Sequence, residues 1–90
     1  GEVGLLSYLS KNIRYPVNAR SAGLTGTVYV TFIIDESGEV KNARIWRGIG
    51  GGCDEEALRV INLMPKWKPG LYNNTAVKVQ YGLPIRFTLR

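Results

Sequence analysis

The chain has 90 residues and a formal net charge of +5, with 44% hydrophobic and 21% charged residues. These values are typical of one small globular domain. No segment approaches the run of about 20 apolar residues that a membrane span needs. The lysines and arginines are spread along the chain, which favours a generally solvated surface over a dedicated basic patch.

Two helical segments are predicted at the start of the chain. Apolar residues recur at helical spacing and predict a helix from about residue 4 to 13. These residues are Leu5, Leu6, Leu9 and Ile13. Pro16 interrupts this helix, and residues 17–22 can form another turn or two that Gly23 closes.

A strand hairpin is predicted next. Residues 27–35 are β-branched or aromatic almost throughout, as strands prefer, and bulky residues on both faces predict a central strand. One face carries Val28, Val30, Phe32 and Ile34. A turn over residues 35–39, in which Gly38 supplies a positive φ, leads into a second strand that ends near Arg47. The apolar positions slip by one after Val40, which predicts a β-bulge.

A loop rich in glycine, residues 48–52, precedes a helix that begins at Cys53 or Asp54 and ends before Pro65. We expect the loop to be flexible. The carboxylates in the first turn suit the positive end of the helix dipole but would repel a bound phosphate, and no lysine follows as in a P-loop. The expected buried stripe is Ala57, Leu58, Ile61 and Met64.

The last segment, residues 75–89, alternates apolar and other residues without a break and predicts one long strand with one buried face. Pro84 lies inside it, and proline is largely confined to edge strands or bulges. We therefore interpret this strand as an edge that docks an extended peptide. A plain edge strand, protected by Pro84, Lys78 and Arg86, stays open as the alternative.

The order of helix, strand, strand, helix and strand predicts a two-layer α+β domain. Two helices would pack on one face of a three-stranded antiparallel sheet, with the C-terminal strand at an edge. The chain has no histidine and one cysteine, which excludes the usual zinc sites and the nucleophiles that depend on histidine. We expect no metal, no cofactor and no enzyme activity, and we expect Cys53 to be packed and inert.

Nucleic-acid binding is an alternative function. The segment 25–32 partly matches the sheet signature of RNA-recognition domains, and Tyr29 could stack on a base. The order of elements is wrong, however, because such a domain places a helix between its first two strands. We therefore expect no nucleic-acid partner.

Together, the motifs resemble the C-terminal domain of TonB, the energy transducer of Gram-negative bacteria, over nearly the whole chain. The order and spacing of the motifs are more specific than any one of them. The matching segments are Tyr15-Pro16, Gly26-Thr27-Val28, the hairpin of residues 28–40, the helix of residues 54–61, Trp67-Lys68-Pro69-Gly70 and Leu83-Pro84-Ile85-Arg86-Phe87.

The resemblance implies that residues 1–90 form a periplasmic domain, excised from a longer protein that a segment absent here anchors in the inner membrane. It implies binding of the TonB box, a short peptide of outer-membrane receptors, by addition to the third strand. Energy derived from the proton-motive force would then drive nutrient uptake. The implied partners are these receptors, which would contact the domain through the TonB box and the receptor plug, and inner-membrane motor proteins. An unprotected edge could also give a homodimer.

Partner-binding residues follow from the same resemblance. They are Tyr15, Pro16, Val77, Lys78, Val79, Gln80, Tyr81 and Gly82. Pro84 removes one donor from the ladder, so docking should concentrate on residues 77–82. Tyr15 can equally be a packing residue, and Trp67 is expected in the core. In two departures from the family pattern, Asn18 replaces a basic residue of some members and Pro65 replaces an aromatic residue.

Overall fold

The computed structural model describes residues 2–89, apart from the side chains of Glu2, Val3 and Leu6. Its helices are α1 (Glu2–Asn12), α2 (Val17–Ser21) and α3 (Cys53–Asn62), and its strands are β1 (Gly26–Ile34), β2 (Val40–Arg47), β3 (Gly70–Tyr72), β4 (Thr75–Val77) and β5 (Val79–Phe87). In this part of the chain, no helix is long and apolar enough to cross a membrane.

The main sheet confirms the predicted α+β class. Its strand order is β2-β1-β5, so β1 is central and β5 lies at an edge. β5 pairs with β1 in a continuous antiparallel register, from Gly26 opposite Phe87 to Ile34 opposite Val79. The pairing of β1 with β2 contains two register shifts, and one of them includes Asn42, whose φ of 53° is left-handed. This irregularity confirms the bulge predicted after Val40.

The core lies between this sheet and the helices, which cover one of its faces. Val28, Val30, Phe32 and Ile34 are buried, which confirms the predicted inner face of β1. In α3, Ala57 and Ile61 are buried as expected, and Val60 is buried as well. Leu58 and Met64, which follows the end of α3, are only partly covered. The five-residue α2, which matches the short helical segment predicted over residues 17–22, contributes the buried Ala19 to the core.

The prediction of one strand over residues 75–89 is wrong. Residues 75–77 form β4, which pairs with β3 in a separate two-stranded hairpin. Asn73 and Asn74 have φ values of 50° and 65°, as a two-residue hairpin turn with two left-handed positions requires. Lys78 separates β4 from β5. The apolar alternation keeps its parity across this break, so the sequence pattern does not show it.

The glycine-rich loop before α3 is anchored rather than unsupported. Gly50, Gly51 and Gly52 have φ values of 78°, 65° and 86°, which glycine adopts without the steric cost of a Cβ. The carboxylate of Asp54 accepts hydrogen bonds from the backbone N–H groups of Ile49 at 2.8 Å and Gly50 at 3.3 Å. The first turn of α3 therefore holds the loop that precedes it.

Candidate peptide-binding edge

The outer side of β5 offers unpaired backbone groups. In the described chain, no strand pairs with that side. Pro84 lies opposite Tyr29 within the continuous register, and a proline has no N–H to donate. Its nitrogen therefore faces away from β1. Because backbone groups alternate in direction along an antiparallel strand, the N–H and C=O groups of Gln80 and Gly82 also face outward.

The side chains of β5 alternate between the two faces of the sheet. Tyr81 and Leu83 turn towards the helices and are partly buried, whereas Gln80 and Gly82 are exposed on the opposite face. A Cβ built on Gly82 would meet no atom within 4 Å. The sheet face that turns away from the helices is thus open at Gly82.

A cavity of about 830 Å³ opens beside this edge on the helix side. It lies between the start of α1, the segment after α3 and β5. Its lining includes Leu5, Tyr8, Met64, Trp67, Tyr81 and Leu83. The rings of Phe32, Trp67 and Tyr81 form its aromatic wall, with centroid separations of 5.2 to 5.9 Å. Trp67 packs against the core, as expected, but it also borders this cavity.

The turn after β1 supports the cavity wall, a contact that the sequence did not reveal. The N–H of Trp67 donates a 2.8 Å hydrogen bond to the carbonyl of Gly38. Gly38 is buried, and a Cβ there would overlap the carbonyl oxygen of Trp67. The turn is fixed by the carboxylate of Asp35, which accepts hydrogen bonds from Ser37 and Glu39. The bond from the Ser37 hydroxyl is the main cause that lowers the pKa of Asp35.

Tyr15 and Pro16 lie near the far end of β5. The hydroxyl of Tyr15 donates a hydrogen bond to the carbonyl of Leu24, and its ring meets the ring of Phe87 edge-on at a centroid distance of 5.6 Å. Burial raises the pKa of Tyr15, and nearby Cys53 adds to this effect while Arg20 opposes it. These contacts give Tyr15 a clear structural role.

The structure separates the two groups of predicted binding residues. Tyr15 contacts Phe87, whereas Gln80 lies opposite Ile33, near the other end of the strand. Seven residues of extended strand correspond to about 24 Å. Val77 ends β4 and Lys78 lies between the strands, so residues 79–82 are the part of the predicted segment that belongs to β5.

Two other candidate residues have ordinary surroundings. Cys53 is buried, and burial raises the pKa of its thiol, with a further contribution from the carboxylates of α3. Its reactive thiolate is therefore disfavoured. Tyr29 lies on the face of the sheet opposite the helices, where its ring packs edge-on against Trp46 at a centroid distance of 6.0 Å.

Comparisons with known proteins assign the family. The family model for the C-terminal region of the Gram-negative bacterial TonB protein matches residues 11–89. The protein TonB of Pseudomonas putida is 33% identical over 76 residues, which cover 80% of this chain and 31% of that protein. This chain thus spans about a third of the length of that relative.

Solved structures show the same fold. Two NMR solution structures of the Helicobacter pylori TonB C-terminal domain, a longer and a shorter piece, superimpose on 96% of this chain. The longer piece gives a TM-score of 0.72 at 25% identity, with 78% of that chain covered. The shorter piece gives 0.69 at 24% identity, with 90% covered. This chain belongs to the family of C-terminal domains of Gram-negative bacterial TonB proteins.

Proposed function

We propose that this chain is the receptor-binding domain of a TonB-type energy transducer, a transport role rather than an enzymatic one. It acts in the periplasm and binds the TonB box of outer-membrane receptors as an additional strand beside β5. The parent protein is anchored in the inner membrane, where motor proteins supply energy from the proton-motive force. Family membership supports this role.

The observation that carries the proposal is the free edge of β5. The outward N–H and C=O groups of Gln80 and Gly82 need partners, and an extended peptide supplies them at the correct spacing. Pairing through the backbone also tolerates varied box sequences. A force along the strand axis acts on all the hydrogen bonds between the peptide and β5 at the same time. The added strand therefore resists this force better than a force that peels it from the edge and breaks the bonds one after another.

The adjacent cavity supports the same proposal. Side chains of an added strand on the helix side would project beside Tyr81 and Leu83, over the apolar lining that includes Met64 and Trp67. Because strand side chains alternate between faces, this cavity favours large apolar residues at every second position of the peptide. Lys66 and Lys68 also line the cavity, which suits a nearby acidic residue in the peptide.

An amide chemical-shift titration of the labelled domain with a TonB-box peptide tests the proposal. We expect the largest shifts at the backbone amides of Gln80 and Gly82, with further shifts at Tyr81. Two control peptides carry backbone N-methyl groups at either the odd or the even positions. Pairing requires that only one of these two peptides loses binding, because only one set of N–H groups faces β5.

A short single-stranded RNA in a parallel titration covers the alternative function. Shifts around Tyr29 with RNA, without peptide-induced shifts in β5, would replace the transducer proposal with nucleic-acid binding. Equal binding of both N-methylated peptides would show that the peptide binds without forming a strand.

A further inference from the structure

The sheet gathers three arginines that are far apart in the sequence. Cross-strand partners project to the same face of a sheet. Arg44 lies opposite Thr31, Arg47 opposite Tyr29 and Arg86 opposite Thr27. These residues of β1 alternate with its buried residues, so all three arginines lie on the face that turns away from the helices. We call Arg44, Arg47 and Arg86, together with Tyr29 and Trp46, the arginine patch.

Two aromatic rings occupy the middle of the arginine patch. Trp46 is 71% exposed and Tyr29 is 37% exposed, and their rings are nearly perpendicular at 89°. The guanidinium of Arg47 lies 5.8 Å from the centroid of the Trp46 ring. From strand spacing and rise, the Cα atoms of Arg44 and Arg86 are about 17 Å apart. The patch is therefore compact enough for one partner to cover.

The charge of the patch is not balanced locally. The three strands of the sheet contain no aspartate or glutamate. Among the described residues, the ion pairs join Lys41 to Glu39 and Arg59 to Glu56, and neither involves a patch arginine. Lys41 projects to the same face opposite Ile33, but Glu39 offsets its charge. The patch thus presents three uncompensated positive charges.

We propose that the arginine patch is a second docking surface, which binds an acidic polypeptide segment. A guanidinium can bind a carboxylate through two parallel hydrogen bonds, which a lysine cannot do. Arginine, tryptophan and tyrosine are also the residue types that dominate the energy of protein interfaces. The two rings pack on each other in the sheet face instead of projecting singly from a loop or helix, which favours a polypeptide over a lipid surface. The proposal does not depend on strand addition at β5.

Fluorescence anisotropy with a labelled oligoglutamate peptide at low salt tests this proposal. The patch variant combines Arg44→Gln, Arg47→Gln and Arg86→Gln. The matched control combines Lys11→Gln, Arg14→Gln and Arg20→Gln, which removes the same charge from exposed residues outside both the sheet and the cavity beside β5. Amide spectra establish that both variants fold. We expect the patch variant to lose about tenfold in affinity for oligoglutamate and the control about twofold or less. In NMR spectra of the unmodified domain, the indole N–H signal of Trp46 should shift when the peptide binds.

Three outcomes would overturn the proposal. Equal losses in the two triple variants would mean that binding follows net charge alone. An absence of oligoglutamate binding to the unmodified domain at low salt would mean that the patch is no acidic-peptide site. Phosphatidylglycerol vesicles and a short single-stranded RNA serve as parallel probes. Binding of either about tenfold tighter than oligoglutamate, with loss in the patch variant, would assign the patch to lipid or nucleic acid instead.

Discussion

Pro84 of β5 lies directly opposite Tyr29 of β1, in the middle of an uninterrupted antiparallel register. The nitrogen of Pro84 therefore faces the outer side of the sheet. Because it carries no hydrogen, the row of outward N–H donors is interrupted between Gly82 and Arg86. A long edge strand can pair with the strands of other chains, and Pro84 limits such pairing in the C-terminal half of β5. Outward donors therefore remain at Gln80 and Gly82, in the half that we propose for docking.

The first prediction concerns Gln80→Pro. This change removes one outward N–H without altering the pairing with β1, so the affinity for a TonB-box peptide should fall by about 0.5–1.5 kcal/mol, or roughly twofold to tenfold. Isothermal titration calorimetry measures this loss. Gln80→Ala is the control, because it keeps the N–H and should bind within about twofold of the unmodified domain. Unchanged affinity in the proline variant would contradict pairing at this residue.

A second prediction separates a structural role of Tyr15 from a binding role. Tyr15→Phe removes the hydrogen bond to Leu24 but keeps the ring against Phe87. We expect the free energy of unfolding to fall by about 0.5–1.5 kcal/mol in denaturant melts. Peptide affinity should stay the same if the peptide covers residues 79–82 only. A weaker complex would show that the peptide continues along β5 to Phe87.

The raised pKa of Tyr15 adds a test in alkaline solution. Because burial raises this pKa in the folded state, the neutral hydroxyl stabilises the fold below the ordinary pKa of tyrosine. This stabilisation is lost as the pH rises through the raised value, that is, above about pH 10. Between about pH 9 and about pH 11, the free energy of unfolding should therefore fall less for the Tyr15→Phe variant than for the unmodified domain. Parallel losses would mean that Tyr15 does not titrate in this range.

A third prediction tests the inner face of β1. Phe32 is 1% exposed and packs against both Trp67 and Tyr81. Phe32→Ala should lower the free energy of unfolding by about 3–5 kcal/mol, because it leaves a cavity in the core. The neighbouring Thr31→Ala, on the other face, should cost less than about 1 kcal/mol. Urea melts followed by circular dichroism measure both changes, and similar losses would contradict the assignment of faces.

Alternation in the sequence was enough to predict the buried faces of β1 and β5, because side-chain direction in a strand follows residue parity. Parity also explains the missed break at Lys78, since β4 and β5 keep the same phase. The gathering of Arg47 and Arg86 on one face depends on the register between strands, and the bulge in β2 alters that register. Such long-range pairing is set by tertiary structure and leaves no local pattern in the sequence.

The contact between Gly38 and Trp67 is another feature of tertiary structure, and it leads to a fourth prediction. Gly38→Ala adds a Cβ that overlaps the Trp67 carbonyl, at a residue with a φ of 89°. Gly23→Ala is the matched control, because its φ is 66° but its Cβ would meet no atom within 4 Å. The control should lose about 1 kcal/mol from backbone strain alone, and Gly38→Ala should lose about 2–3 kcal/mol.

Denaturant melts compare the two glycine variants, and chemical shifts report on the cavity wall. The Gly38→Ala variant should shift the indole signal of Trp67 and weaken binding of the TonB-box peptide, because the turn no longer holds that segment in place. Equal losses of stability in both variants would show that strain at positive φ, and not the contact with Trp67, accounts for the effect.

The last prediction concerns Glu56, which joins α3 to the segment before α2. Its carboxylate accepts hydrogen bonds from the backbone N–H of Arg14 at 2.6 Å and from the guanidinium of Arg59 at 2.7 Å. The bond from Arg59 is the main cause that lowers the pKa of Glu56. Glu56→Gln should therefore lower the free energy of unfolding at neutral pH by about 1–2 kcal/mol.

The pH dependence of this loss follows from the lowered pKa. A carboxylate with a lowered pKa in the folded state stabilises the fold above its unfolded pKa, and this contribution is lost as the pH falls through the folded value. The gap between Glu56→Gln and the unmodified domain should thus shrink below about pH 4 in urea melts. Glu55→Gln, an exposed neighbour with the same change of charge, should cost less than about 0.5 kcal/mol. A gap that persists undiminished at low pH would show that the carboxylate charge of Glu56 does not stabilise the fold.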